Sequence, residues 1–444
     1  MNGSAPTTAF LPVYAQGDPG IGIGGYDLQS AVDRSFAFDY DSSGNLDHIV
    51  LYRPGAGIIW ILCNRGGQFS PVYTTGSGIG GYDLKSPADL AFAFDYEGSG
   101  KLDHLVLYRP GTGTIWILYH DGVQFSPVYA QGDPGNGIGG YDLKSTADRG
   151  FAFDYDGSGR LDHLAFYRPG TGTIWILSNR GGQFSPVYAQ GDPGDGIGGY
   201  DLKSPADLAF AFDYEGSGKL DHLVLYRPGT GTIWILHHDG VQFSSVYAQG
   251  DPGNGIGGYD LKSTADRAFA FDYDGSGKLD HLAFYRPGTG TIWILSNYGG
   301  QFSSVYVQGD PGDGIGQYDL KSPADLAFAF DYDHSGTLDH LALYRPGTGT
   351  MWLLAQGTPV ASSPVTPSSV TPSPVTRSPV TSSSPVASLM PRGVITGAVV
   401  GGIVGLTAAI LVILFLCRRQ QQIKNMSINQ PYRKPAILLA AAMF

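Results

Sequence analysis

Cysteine is nearly missing. Of 444 residues only two are cysteine, Cys63 and Cys417. Two cysteines cannot build a disulfide framework, so the fold must be held by packing and by whatever its side chains bind. Basic residues are scarce too: 27 Lys and Arg stand against 39 Asp and Glu, a net charge of −12. No basic patch recurs, which excludes a nucleic-acid backbone as partner. The opening stretch, MNGSAPTTAFLPVYAQ, has neither the basic start nor the long apolar core of a secretory signal peptide. No Ser-His-Asp ordering appears, and no unique His or Cys is placed for catalysis. An enzyme needs one asymmetric set of groups with distinct roles, so the chain reads as a non-enzyme.

Glycine, by contrast, is abundant at 66 residues. That is about twice the usual share, without a collagen period. The glycines hold fixed places in a unit of about 59 residues that recurs six times, the mark of a repeat architecture. Phe151–Leu177, FAFDYDGSGRLDHLAFYRPGTGTIWIL, is one copy of its central part. The chain's six tryptophans, Trp60, Trp116, Trp175, Trp234, Trp293 and Trp352, mark the same point in every copy.

Each unit offers four short strands: a QFSPVY strand, an apolar strand after a GIGGYDLKS loop, an HLVLY-type strand, and TIWIL after an RPGTG turn. Gly/Pro punctuation and β-branched or aromatic runs support all four. The predicted fold is therefore all-β, a six-bladed propeller of four-stranded blades. The repeats run over about 10–68, 69–124, 125–183, 184–242, 243–301 and 302–354, after a leader at 1–9. The last unit lacks its own QFSPVY strand, and Phe10–Tyr14 supplies a spare copy that can close the ring. Arg34, Arg149 and Arg267 alternate with Leu90, Leu208 and Leu326, and NRGG turns alternate with HDGV turns. The duplicated unit is thus a pair of blades. A linear solenoid is the other architecture such repeats can build.

The composition then changes. Residues 355–391 are rich in Ser, Thr and Pro and read as an extended stalk, O-glycosylated or plain linker. Residues 394–417 form an uncharged apolar run long enough to span a bilayer. Arg418, Arg419 and Lys424 follow it, against Arg392 alone before it. This bias places the tail, 418–444, in the cytoplasm and the propeller outside. Without a visible signal peptide, a tail anchor with a cytosolic propeller is the competing topology. Gly397, Gly401 and Gly405 give the span a small-residue face suited to helix pairing. Cys417 stands at the inner boundary, where palmitoylation occurs.

One loop carries the chemistry. It reads D-x-[DE]-x-S-G-x-L-D in all six units. Its oxygen-bearing positions and the residue at position seven, whose main-chain carbonyl would serve, are as follows. The first unit has Asp39, Asp41, Ser43, Asn45 and Asp47. The second has Asp95, Glu97, Ser99, Lys101 and Asp103. The third has Asp154, Asp156, Ser158, Arg160 and Asp162. The fourth has Asp213, Glu215, Ser217, Lys219 and Asp221. The fifth has Asp272, Asp274, Ser276, Lys278 and Asp280. The sixth has Asp331, Asp333, Ser335, Thr337 and Asp339. This spacing lets a loop wrap hard oxygen ligands around calcium, with glycine at position six for the sharp turn. Three carboxylates in nine residues repel one another without a cation. An acidic hairpin with Asx turns is the bland alternative. No helix flanks the loop, so it is not an EF-hand.

The strand–DxDxSGxxD–strand unit resembles the FG-GAP/VCBS calcium blades of integrin-type propellers. It is also similar to fungal lectin propellers of the Psathyrella velutina type. The resemblance covers about residues 10–354 and implies about one calcium per blade. It departs at position five, Ser here where Asp or Asn is common, and in blade number, since that lectin type has seven.

His48, His104, His163, His222, His281 and His340 follow the last loop aspartate and read as strand-start hydrogen-bonding groups. The tryptophans read as packing between blades. Tyr141, Asp142 and Arg168, with Tyr200, Asp201 and Arg227, are the candidate ligand-binding residues, an aromatic beside a carboxylate on a long polar loop. Near-identical sites on a ring favour multivalent binding. The expected function is a membrane-anchored, calcium-stabilised propeller that binds carbohydrate in adhesion or recognition. A protein–protein scaffold without a sugar site is the alternative.

Overall fold

The structure is a computed structural model and describes residues 9–357. The leader before Ala9, the predicted span at 394–417 and the tail at 418–444 lie outside the described residues. So does the stalk beyond residue 357. No helix among the described residues is long and apolar enough to cross a membrane.

Twenty-four strands form six four-stranded antiparallel sheets, the six blades of a propeller. In blade three the inner strand is Arg149–Phe153, the second His163–Arg168, the third Thr173–Arg180 and the outer Gln183–Ala189. Blades one to five are each one continuous stretch of chain. Blade six takes Leu326–Phe330, His340–Arg345 and Thr350–Gly357 from the end of the propeller and Ala9–Ala15 from its start. Ala9 pairs with Gly357 and Ala15 with Trp352, so the first strand closes the ring. The third strand of this blade runs three residues into the segment assigned to the stalk, as far as Gly357.

The strands differ because their surroundings differ. The second strand, HLAFYR in blade three, is buried along its whole length. It sits mid-sheet with a neighbouring blade on each face, and a strand covered twice reads as a continuous apolar run. The outer strand is largely exposed and bulged: Ile176 pairs with Tyr188 but Leu177 with Pro186. Proline is tolerated there because an edge strand needs no further amide donor. The core lies between the blades. Phe153, Tyr167 and Ile176 of blade three pack against Leu223, Leu225 and Phe243 of blade four, and every neighbouring pair repeats this.

Two rings of hydrogen bonds stitch the blades around the central channel. At one end the N–H of Asp39 donates to Leu102 O of the next blade at 3.3 Å, and the pattern runs round to Asp331 and Leu46. At the other end the Tyr52 hydroxyl accepts the N–H of Ala91 at 3.2 Å, and this too recurs at every blade junction.

Candidate functional site

The acidic loop joins the inner strand to the second strand. Its opening aspartate turns inward. In blade three Asp154 Oδ1 accepts the N–H of Ser158 at 2.9 Å, and Oδ2 accepts that of Gly159 at 2.7 Å. Asp39, Asp95, Asp213, Asp272 and Asp331 do the same in their own loops. All six are buried. Burial pushes the Asp39 carboxyl up to about 6, against the pull of those amides. Asp154, Asp272 and Asp331 are raised for the same leading reason. The position-five serine hydroxyls lean back on the opening aspartate, as Ser158 Oγ does at 3.4 Å. Position-seven side chains reach elsewhere: Lys101 Nζ donates to Ser42 O of the previous blade at 2.6 Å.

What the loop gathers at a single point is position three, position nine and the histidine after it. Asp156, Asp162 and His163 each offer a ligand atom, all within 4.8 Å of one another. Asp41, Asp47 and His48 do likewise, as do Asp274, Asp280 and His281, and Asp333, Asp339 and His340. In these four blades the imidazole Nδ1 lies 2.6–2.7 Å from the adjacent aspartate oxygen. That contact is an ion pair outside hydrogen-bond geometry, so neither buried atom has a hydrogen-bond partner. The histidines are no more than 6% exposed. A buried polar atom without a hydrogen bond is costly. Two carboxylates and an imidazole around one point fit a divalent cation that takes oxygen and nitrogen ligands.

Blades two and four differ. With Glu97 and Glu215 at position three, no such cluster forms among the described residues. There His104 and His222 hydrogen-bond their neighbours Asp103 and Asp221 at 2.7 Å. The strand-start role read from sequence therefore holds in two blades. In the other four the histidine belongs to the cluster, a residue that oxygen counting passed over. Its adjacency to the last loop aspartate was the available signal. In blade six the cluster opens on a cavity of about 310 Å³ shared with Tyr273 and Asp274 of blade five.

The second site is the set Tyr141, Asp142 and Arg168. The structure brings them together, with Gly140, Thr173, Trp175 and Asp192, around a pocket of about 170 Å³. Gly140 has φ +93°, and a Cβ there would meet the Trp175 ring at 3.2 Å, so the loop needs glycine where it crosses the indole. The pocket's wall is an ionic lock. Arg168 Nε donates to Asp148 Oδ1 at 2.8 Å, and its Nη2 donates to Asp148 Oδ2 at 3.1 Å and Asp142 Oδ1 at 2.7 Å. Nη1 pairs with Asp192. The guanidinium also lies over the Tyr141 ring, 5.6 Å from its centroid. Tyr141 is buried and donates its hydroxyl to Asp148 at 2.8 Å, and burial beside that carboxylate drives its pKa far up.

Tyr141 and Arg168, with their counterparts Tyr200 and Arg227, are thus largely committed inside the protein. Asp142 and Asp192 keep about half of their side-chain surface exposed, at 51% and 48%. Asp148, which ties the lock together, was missed in the sequence. It recurs 20 residues before each such arginine. Five blades share the full lock. Arg53 lacks the third aspartate and is 19% exposed, against 8–9% for the others.

No protein-family model matches the chain, and no curated protein does. Solved structures that match include a lectin from Agrocybe aegerita that recognises non-reducing terminal N-acetylglucosamine. It is 21% identical with a TM-score of 0.46, over 75% of this chain and 81% of that one. A Bacteroides uniformis protein provisionally named a 6-phosphogluconolactonase matches at 9% identity and TM-score 0.35, over 60% and 68%. The Cps50 (Swd1) propeller domain of Myceliophthora thermophila matches at 12% and 0.36, over 73% and 96%.

Proposed function

We propose that this propeller is a non-enzymatic, multivalent carbohydrate-binding protein. The residue set around this pocket, which recurs around the ring with the same chemistry, carries the reading. Five of the six copies place the edge of a half-buried indole beside two half-exposed carboxylates that can accept sugar hydroxyls. Apolar and aromatic walls with a few fixed polar groups are what small-ligand sites need. Five copies keep the full aspartate set; the one at Arg53 does not. Weak sites repeated on one rigid ring add to avidity on a glycan-covered surface.

The same proposal gives the acidic loops a divalent cation, calcium by their oxygen content, held by position three, position nine and the histidine. It also places the propeller outside a membrane, on the 355–391 stalk and the 394–417 span. A glycan array probed with the full-length protein, with calcium and with chelator, is the test. Glycan binding that Asp142→Asn with Asp192→Asn weakens supports the reading. Absence of any glycan signal, with a defined protein partner bound instead, would replace it with the scaffold alternative.

A further inference from the structure

The two ends of the central channel are chemically opposite. The acidic loops crowd one end. At the other the inner strands begin, and their first residues are Arg34, Arg149 and Arg267 in alternate blades. A cavity of about 360 Å³ lies there, lined in part by Arg34, Arg149, Tyr52, Tyr108 and Tyr167. Arg267 holds the corresponding register in blade five, opposite Tyr285, as Arg34 stands opposite Tyr52 and Arg149 opposite Tyr167. These three arginines are exposed, and none has a hydrogen-bond or ion-pair partner among the described residues. The arginines of the ionic locks, by contrast, are each held by two or three aspartates.

The rest of the wall also offers donors. The six tyrosine hydroxyls around this end each accept an amide N–H from the next blade, which leaves the phenolic proton available to donate. All six tyrosines are no more than 3% exposed. Ser35 Oγ, in the same wall, is buried without a partner. Burial pushes the Tyr52 hydroxyl up to about 12 against the nearby Arg34 charge, so it stays a neutral donor. No carboxylate lines the cavity. Guanidiniums and hydroxyls without a competing acceptor form an oxyanion site, since arginine matches carboxylate and phosphate geometry.

We propose that this end of the channel binds one small polyanion, a compact molecule bearing several carboxylate or phosphate groups, gripped by Arg34, Arg149 and Arg267 around the pseudo-threefold axis. The assignment is independent of the sugar pockets and the acidic loops.

The test uses the full-length chain and a variant that the fold itself suggests. Leucine occupies the same position in blades two, four and six, so Arg34→Leu, Arg149→Leu and Arg267→Leu together place leucine at this position in all six blades. Citrate and inositol hexakisphosphate are titrated separately by calorimetry, with sodium chloride at matched ionic strength as control. One equivalent of either should bind, more weakly as salt rises, and at least tenfold more weakly in the triple variant. The better of the two probes tells carboxylate from phosphate. If the triple variant melts early, Arg149→Gln alone should still weaken binding severalfold. No binding at millimolar probe, several equivalents per chain, or unchanged affinity in both variants would overturn the proposal.

Discussion

At the scale of single residues, the buried ion clusters dominate. Arg168 holds Asp148, which has no exposed side-chain surface. Removing one partner of a buried pair leaves an uncompensated charge and costs about 3–5 kcal/mol. Arg168→Met is expected to lose stability of that order in chemical denaturation. Arg53→Met should lose clearly less, because that guanidinium is more exposed and has one aspartate fewer. Equal losses would contradict the ranking. Asp39 makes the other prediction at this scale. Its folded pKa of about 6 lies above the ordinary 3.8. A raised carboxyl favours the native state when protonated, so this contribution is complete below about pH 4 and is lost as pH rises through about 6. In chelator, Asp39→Asn should therefore gain melting temperature relative to wild type at pH 7 and lose that gain toward pH 4. A gap that does not vary with pH would refute it.

At the scale of strands and loops, the joint in blade six bears the load. Phe10, 4% exposed, lies on the closing strand and packs on Phe271, Tyr273 and Tyr306 of blade five. Phe10→Ala should cost about 3–5 kcal/mol by the usual toll for a buried aromatic. Deleting residues 9–15 should do more, since it bares the edge of Thr350–Gly357 and invites association. Size-exclusion chromatography would show the oligomers.

The blades themselves were legible in the sequence because strand and turn chemistry are local and were repeated six times. Ring closure was legible because one strand was spare at the start and one missing at the end. What was not legible is which side chains meet across a blade junction. His48 and Asp41 lie seven residues apart on either limb of a loop, and only the loop's fold brings them together. The polar loop makes Tyr141 read as a binding residue, yet its hydroxyl is taken up by an aspartate seven positions further along the same loop. Composition shows that a loop is polar without showing which of its side chains face inward.

At the scale of the whole molecule, sixfold repetition is imperfect, and the imperfections predict stoichiometry. Four blades carry the Asp-Asp-His cluster and two do not. Calcium titration with thermal unfolding should show about four ions, each raising stability by mass action. Asp156→Asn with His163→Ala should remove one. Six equivalent ions would restore the oxygen-only loop as the ligand set. No ion at millimolar calcium, with tight zinc or manganese instead, would reassign the metal.

The pairing of Ala9 with Gly357 has one more consequence. The two ends of the propeller lie on adjacent strands of one sheet, so the break between Gly357 and Ala9 is only one of several equivalent cuts of the ring. A short turn from Gly357 to Ala9, with a new opening between Gly181 and Gly182, would leave every blade with its four strands. In topological terms the propeller is a circle with a movable break, and a circular permutant should fold to the same ring.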